Sequence, residues 1–201
     1  IDPSPEQLSE ARRQNGPAAI EWGEGRGEEL PFPDQSFDLI CLFWVLEHVS
    51  SPEAVLASIH RVLMPGGRVA LSEVHNPSLY LYPECPRAMA YWKAYNRLQH
   101  DLGGHPEIGV QLPALAAEQG WEVLQTRRFS PRLNGLLSQH AQRQEVVSFW
   151  IDLLGSALPN LREHRRCAPD FEEVREELQG LVQHPRAVIE YSAHQLLARK
   201  P

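Results

Sequence analysis

Apolar and polar positions fall into two rhythms along the first part of the chain. Ser4-Pro5-Glu6-Gln7 supplies a cap, a proline at the first helical position and a capping-box glutamine, with Leu8 and Ala11 following on one face. Asn15-Gly16 is expected to close that helix. A short strand is expected at Ala18–Trp22, then a Gly/Glu-rich loop, GEGRGEELPFPDQ. The run Phe37–Val45 is continuously apolar after Asp38, the pattern of a strand buried on both faces of a parallel sheet. Ser51-Pro52 opens a second helix, with Val55, Leu56, Ile59, Val62 and Leu63 at helical spacing. Pro65-Gly66-Gly67 breaks it before a buried strand at Arg68–Val74. This alternation implies right-handed crossovers and an α/β fold with a parallel sheet.

The second half is less regular. Asn76–Gly104 is aromatic and mixed, with Tyr80, Tyr82, Tyr91, Trp92 and Tyr95, and short helices inserted after Arg68–Val74 are expected there. A helix from about Leu112 to Gln119 stops at Gly120, and Trp121–Phe129 reads as a strand. A further helix carries Val146, Trp150, Leu153 and Leu154 on one face. Asp170 with Glu173 forms a capping-box pattern for the last helix, whose Phe171, Val174, Leu178 and Leu181 face the core. Ile189–Ala198 reads as the closing strand.

With 201 residues the chain suits one domain, here taken as 1–201. Hydrophobic residues at 42% and charged ones at 22% exclude whole-chain disorder. The longest apolar run, Leu39–Leu46, is far shorter than the ~18 residues of a membrane span, and the polar start shows no signal peptide. Cys41, Cys85 and Cys167 are odd in number and widely spaced, which suits a reducing cytoplasm and argues against a disulfide framework or a structural zinc site. A net charge of −7 makes nucleic acid a poor partner. The clusters Arg127/Arg128/Arg132 and Arg162/Arg165/Arg166 read as solvated faces.

Four segments stand in a shared order: IDPSPEQLSEAR, LPFPDQSFDLI, LEHVSSPEAVLASIHRVLMPGGRVALSE and the terminal ARKP. Together they resemble class I S-adenosylmethionine-dependent methyltransferases, in the group related to ubiquinone/menaquinone C-methyltransferases (methyltransferase type 11). The likeness is strong over 1–76, looser over 103–129 and confined to the final strand thereafter. It implies a Rossmann-like sheet of order 3-2-1-4-5-7-6, with the last strand inserted antiparallel between Arg68–Val74 and Trp121–Phe129 and a helical lid insertion at 76–104. It further implies S-adenosylmethionine as cofactor and methyl transfer to a small-molecule acceptor. The family's glycine-rich loop, which precedes the ribose-binding acid by about 20 residues, has no counterpart here. The resemblance therefore describes a domain incomplete at its N-terminus, inactive as this chain alone, with a slot beside Phe37–Val45 lined by Leu39, Cys41 and Phe43. The alternative is a methyltransferase-fold binding or interaction module without catalysis.

Carried over by position, Asp2 matches the acid that accepts the ribose hydroxyls, and a carboxylate has two acceptor oxygens for a vicinal diol. Arg26 and Gly27 stand where the family contacts adenine. Arg26 departs from that pattern because a guanidinium has no acceptor, whereas the Gly27 N–H suits a ring nitrogen. Phe43 matches the strand end beside the cofactor's methionine part, and Trp44 the neighbouring substrate pocket; alternation turns one of the pair toward the cleft. Tyr80, Tyr82, Trp92 and Tyr95 either line the acceptor pocket or form the core of the inserted helices. His75, just past a strand at the carboxyl edge of the sheet, is the candidate general base, with His48, His100 and His105 as alternatives. His100-Asp101 with His105 lacks a further metal ligand, so no metal site is assigned.

Overall fold

The structure, a computed structural model, describes residues 1–14, 20–130, 135–136 and 140–201. Seven α-helices and five strands follow in order among these residues: α1 (Pro5–Arg13), β1 (Phe37–Phe43), α2 (Pro52–Val62), β2 (Leu63–Tyr82), α3 (Pro86–Asp101), α4 (Leu112–Glu118), β3 (Glu122–Phe129), β4 (Gly135–Leu136), α5 (His140–Ser156), α6 (Leu158–Glu163), α7 (Phe171–Gln183) and β5 (Val188–Arg199). The main sheet runs β1–β2–β5–β3, with β4 also pairing to β5. β1 and β2 are parallel, with Ile40 opposite Val69 and Cys41 opposite Ala70. β5 lies antiparallel between β2 and β3, with Leu71 opposite Leu196 and Val123 opposite Ala198. That is the position expected for the closing strand.

Two apolar clusters cover the sheet. One joins Leu42, Leu46, Val55, Leu56, Ile59 and Leu71 to Ile108, Leu112 and Leu196, so that α2 and α4 share a core with β1, β2 and β5. The other joins Tyr91, Trp92, Trp150, Val174, Leu178 and Ile189, which gathers α3, α5 and α7 around the far reach of β2 and β5. In α2 the buried residues Val55, Leu56, Ile59 and Val62 recur at the helical period, so one face enters the core. Ser51 accepts from the Ala54 N–H, and Pro52 opens the helix where a missing N–H costs nothing. At its other end Lys200 Nζ donates to the His60 and Leu63 carbonyls, tying the chain's last residues to the helix terminus. Gly66, within the first residues of β2, takes φ +77° and donates to the Lys200 carbonyl.

Several expectations change. Of the strand expected at Ala18–Trp22, Ala18 and Ala19 lie outside the described residues, as do Asn15 and Gly16, and Ile20–Trp22 pair with nothing regular. Among the described residues, pairing here is a single parallel bridge, Asp2 to Glu24. β1 stops at Phe43 rather than Val45, since Trp44 takes φ +55° and leaves the extended region. Nor is β1 buried on both faces. Leu39 is 52% and Phe43 65% exposed, Cys41 is exposed too, and among the described residues β2 is its sole strand neighbour.

β2 is far longer than Arg68–Val74. Residues 76–82 continue the strand instead of starting the expected helices, because Leu79 and Leu81 point into the core while Tyr80 and Tyr82 point out, a period of two. Tyr80, Leu81 and Tyr82 pair with Glu190, Ile189 and Val188. The helical part of the 76–104 segment is α3 alone. Both capping boxes form in half. Ser4 accepts from the Gln7 N–H, but the Ser4 N–H goes to Asp2 Oδ1; Asp170 accepts from Glu172, while Glu173 pairs with Arg87. Leu153 is half-exposed rather than core-facing. No described helix is long and apolar enough to cross a membrane.

Candidate functional site

The carboxyl end of β1, where open α/β sheets place ligands, and the middle of β2 beside it carry an unusual concentration of buried polar groups. Glu73 sits on β2 with no exposed surface. Its Oε1 accepts from the Val45 and Leu46 N–H groups at 3.0 and 2.9 Å, pinning the turn that follows β1. Trp44 rides on that turn, its N–H donating to the Ser72 carbonyl and its indole half-exposed. Glu73 Oε2 is buried without a partner among the described residues. Burial pushes the Glu73 carboxyl up to about 7, against the two backbone hydrogen bonds that favour its charged form.

Beside it runs a chain of hydrogen bonds. The Tyr191 hydroxyl donates to Asn76 Oδ1 at 2.7 Å, and Asn76 Nδ2 donates to Asn96 Oδ1 at 2.8 Å and to Gln99 Oε1 at 3.4 Å. Gln99 Nε2 in turn donates to Glu47 Oε2 at 2.9 Å. Glu47 Oε1 faces His48 Nε2 at 3.6 Å, and the His48 imidazole is exposed. Burial raises the Glu47 carboxyl, opposed by His48 and by the Gln99 hydrogen bond. A buried carboxylate thus backs a solvent-facing imidazole, with Gln99 and Asn76 fixing its orientation.

The chain start docks on the loop before β1. The Asp2 N–H donates to the Gly23 carbonyl and the Gly25 N–H to the Asp2 carbonyl, at 3.2 and 3.3 Å. Asp2 Oδ1 accepts from Ser4, and among the described residues its second oxygen accepts nothing. Gly27 opens a short 3-10 turn and lies against α2, where an added Cβ would sit 3.1 Å from Val55 Cγ1. Arg26 points into solvent and pairs with Glu28. It adds no acceptor for an adenine amine.

The remaining candidates scatter. Trp92 is buried in the core, where its Nε1 donates to the Asn76 carbonyl and its ring meets Trp150 and Tyr191. Tyr95 is half-buried, 5.6 Å from the Trp92 ring, and its hydroxyl is held above the ordinary range by burial and by Glu47. Tyr80 and Tyr82 face outward on β2, Tyr82 against His184. The aromatic set therefore does not converge on one pocket. His75 faces His194 rather than the Glu47–His48 pair. Sequence reasoning missed Glu47, Glu73, Gln99 and Tyr191. The available signal was Glu73 itself, a charge inside the apolar strand ALSEV.

The methyltransferase domain family matches residues 1–71. A Bacillus halodurans protein of known structure superposes with a TM-score of 0.57 at 18% identity, over 100% of this chain and 81% of that one. The fold is that of the class I methyltransferases. The SAM-dependent methyltransferase of Thermotoga maritima superposes with a TM-score of 0.52 at 15% identity, over 99% of this chain and 71% of that one. In sequence, the ubiquinone/menaquinone biosynthesis C-methyltransferase of Rubrivivax gelatinosus is 34% identical over 83 residues, 41% of this chain and 33% of that protein. The chain thus spans about a third of the length of the first curated relatives it matches.

Proposed function

We propose that the protein transfers a methyl group from S-adenosylmethionine to a small-molecule acceptor at the carboxyl end of β1. The observation that carries this reading is Asp2, whose backbone docks on Gly23 and Gly25 while its carboxylate accepts from the Ser4 N–H through one oxygen and, among the described residues, keeps the other uncommitted. Those residues fit the ribose end of the cofactor, because a carboxylate accepts from both hydroxyls of a diol. S-adenosylmethionine, when bound, supplies an electrophilic methyl group. Asp2 would orient the ribose, the Gly27 N–H would meet the adenine ring, and exposed Phe43 and Trp44 would supply an apolar wall that excludes water.

His48 is the group placed to take a proton from the acceptor. With its Nε2–H toward Glu47, Nδ1 is left as the proton acceptor, and Glu47 stabilises the imidazolium that forms. His75, the base expected from sequence, is engaged with His194 instead. The acceptor approaches over Trp44 and Tyr95, with α3 as the lid. Three unpaired cysteines suit a reducing, cytoplasmic setting.

Calorimetric titration of S-adenosylmethionine into the protein, expressed from its full natural reading frame, tests this reading. Saturable binding is expected, weakened roughly 10- to 100-fold by Asp2→Ala, the size of a lost charged hydrogen bond. Equal affinity in the two proteins would remove Asp2 from the site. No binding in either would favour the non-catalytic binding module.

A further inference from the structure

Away from the Glu47–His48 pair, one cleft of about 250 Å³ opens between the residues leading into α4 and the strands β3 and β5. Val110, Leu112 and Pro113 form its apolar wall, and Thr126, Arg128 and His194 line the opposite side. Arg128 and His194 are direct partners in the β3–β5 ladder, so their side chains rise from the same face. His75, on the next strand, packs edge-on against His194 with ring centroids 5.6 Å apart.

The charge here runs against the rest of the molecule. The protein carries −7 overall, yet this cleft is lined by Arg127, Arg128 and the His194 imidazole, with His75 packed behind His194. Neither arginine forms an ion pair among the described residues. Burial lowers both imidazoles below the ordinary histidine range, and Arg128 adds to the effect on each; Glu107 opposes it at His75. The other acid near the pair is Glu73, opposite His194 in the β2–β5 register, whose Oε1 is committed to the Val45 and Leu46 N–H groups while Oε2 is buried without a partner among the described residues.

We propose that this cleft binds a small tetrahedral oxyanion, the chemistry of a phosphoryl or sulfuryl group, gripped by Arg128 and His194 with His75 behind. Arg128 Nε donates to Ser192 Oγ at 2.9 Å, which holds the guanidinium in place and leaves its terminal nitrogens for the ligand. That commitment removes the side-on Nε/Nη fork that a planar carboxylate prefers, and favours an acceptor with oxygens in several directions. The wall of Val110, Leu112 and Pro113 leaves room for an apolar appendage on the anion. The site does not depend on methyl transfer, and it is read without any cofactor.

Inorganic sulfate is the probe, because its charge stays constant where histidine titrates. Calorimetry at constant ionic strength is expected to show saturable binding, roughly tenfold tighter near pH 5.5 than near pH 8 as His194 and His75 gain protons. Arg128→Gln should abolish saturation with an unchanged far-ultraviolet circular dichroism spectrum. His194→Gln should keep weak binding and flatten its pH dependence. Ring-proton shifts of His75 and His194 on adding sulfate to the unaltered protein supply a readout free of any variant. Unsaturable binding, binding unchanged in Arg128→Gln, or ring protons indifferent to sulfate would each overturn the proposal.

Discussion

β1 and β5 are both apolar strands of one sheet, yet they live in different surroundings. β1 buries one residue, Leu42, while β5 buries Ile189, Tyr191, Ser192, Ala193, Leu196 and Ala198. Composition does not explain the contrast, since FDLICLF is the more apolar stretch of the two. Neighbours do. β5 has β2 on one side and β3 on the other, with helices packed over both faces, whereas β1 has β2 alone among the described residues. An apolar run therefore reports the capacity for burial, and the topology decides how much of it is used.

Truncation should break this contrast most sharply. Leu196→Ala removes a side chain 2% exposed and in contact with the α2–α4 core, so a loss of about 2–5 kcal/mol is expected. Leu39→Ala on β1 removes a side chain 52% exposed, and about 0.5 kcal/mol or less is expected. Urea unfolding of the two variants measures both values. Comparable losses would mean that β1 is as deeply packed as β5 in solution.

The second way to sharpen the comparison is pH, because Glu73 links the end of β1 to the buried strand β2. Its folded-state value of about 7 lies above the ordinary 4.5, so between those values the folded protein binds more protons than the unfolded chain. Stability should fall as pH rises through that window, by on the order of a few kcal/mol, and level off above it. Glu47, raised in the same direction, adds to the slope. Glu73→Gln should flatten most of the fall in unfolding free energy between about pH 5 and pH 8. A slope unchanged in the variant would assign it to Glu47 and the remaining carboxyls.

Most of the fold was legible in the sequence because its signals are local. Ser51-Pro52 with Val55, Leu56, Ile59 and Val62 set out α2, and the closing strand lies antiparallel between β2 and β3 as expected. What misled was context. Asn76–Tyr82 looked irregular because a proline and a serine interrupt it, and its pairing partners are more than a hundred residues away at Val188–Glu190. The site was less legible for the same reason. Asp2 was proposed from its neighbours in sequence, whereas the chain Tyr191–Asn76–Gln99–Glu47 joins four separate parts of the sequence. No spacing rule connects them. The aromatic residues of α3 were read as one set, yet a helix turns its faces apart: Trp92 enters the core while Tyr95 approaches Glu47.

The smallest expected effect compares two helix caps, one in each region. Ser4 accepts from the Gln7 N–H at the start of α1, and Asp170 accepts from the Glu172 N–H at the start of α7. An N-cap side chain satisfies a backbone donor that the helix cannot, which is worth roughly 0.5–2 kcal/mol. How much of that reaches global stability depends on what the helix buries. α1 buries Leu8 alone, so losing its cap frays the helix without disturbing either core. α7 buries Val174, Leu178, Leu181 and Val182 in the larger cluster, so its first turn is coupled to the whole domain. Asp170→Ala should therefore lower the unfolding free energy by about 1 kcal/mol, and Ser4→Ala by no more than a few tenths. Hydrogen exchange should show the converse for Ser4→Ala, with faster exchange confined to α1. An equal global loss from both variants would mean that α1 unfolds together with the sheet, and that the chain start is held by the 23–25 loop more tightly than its burial implies.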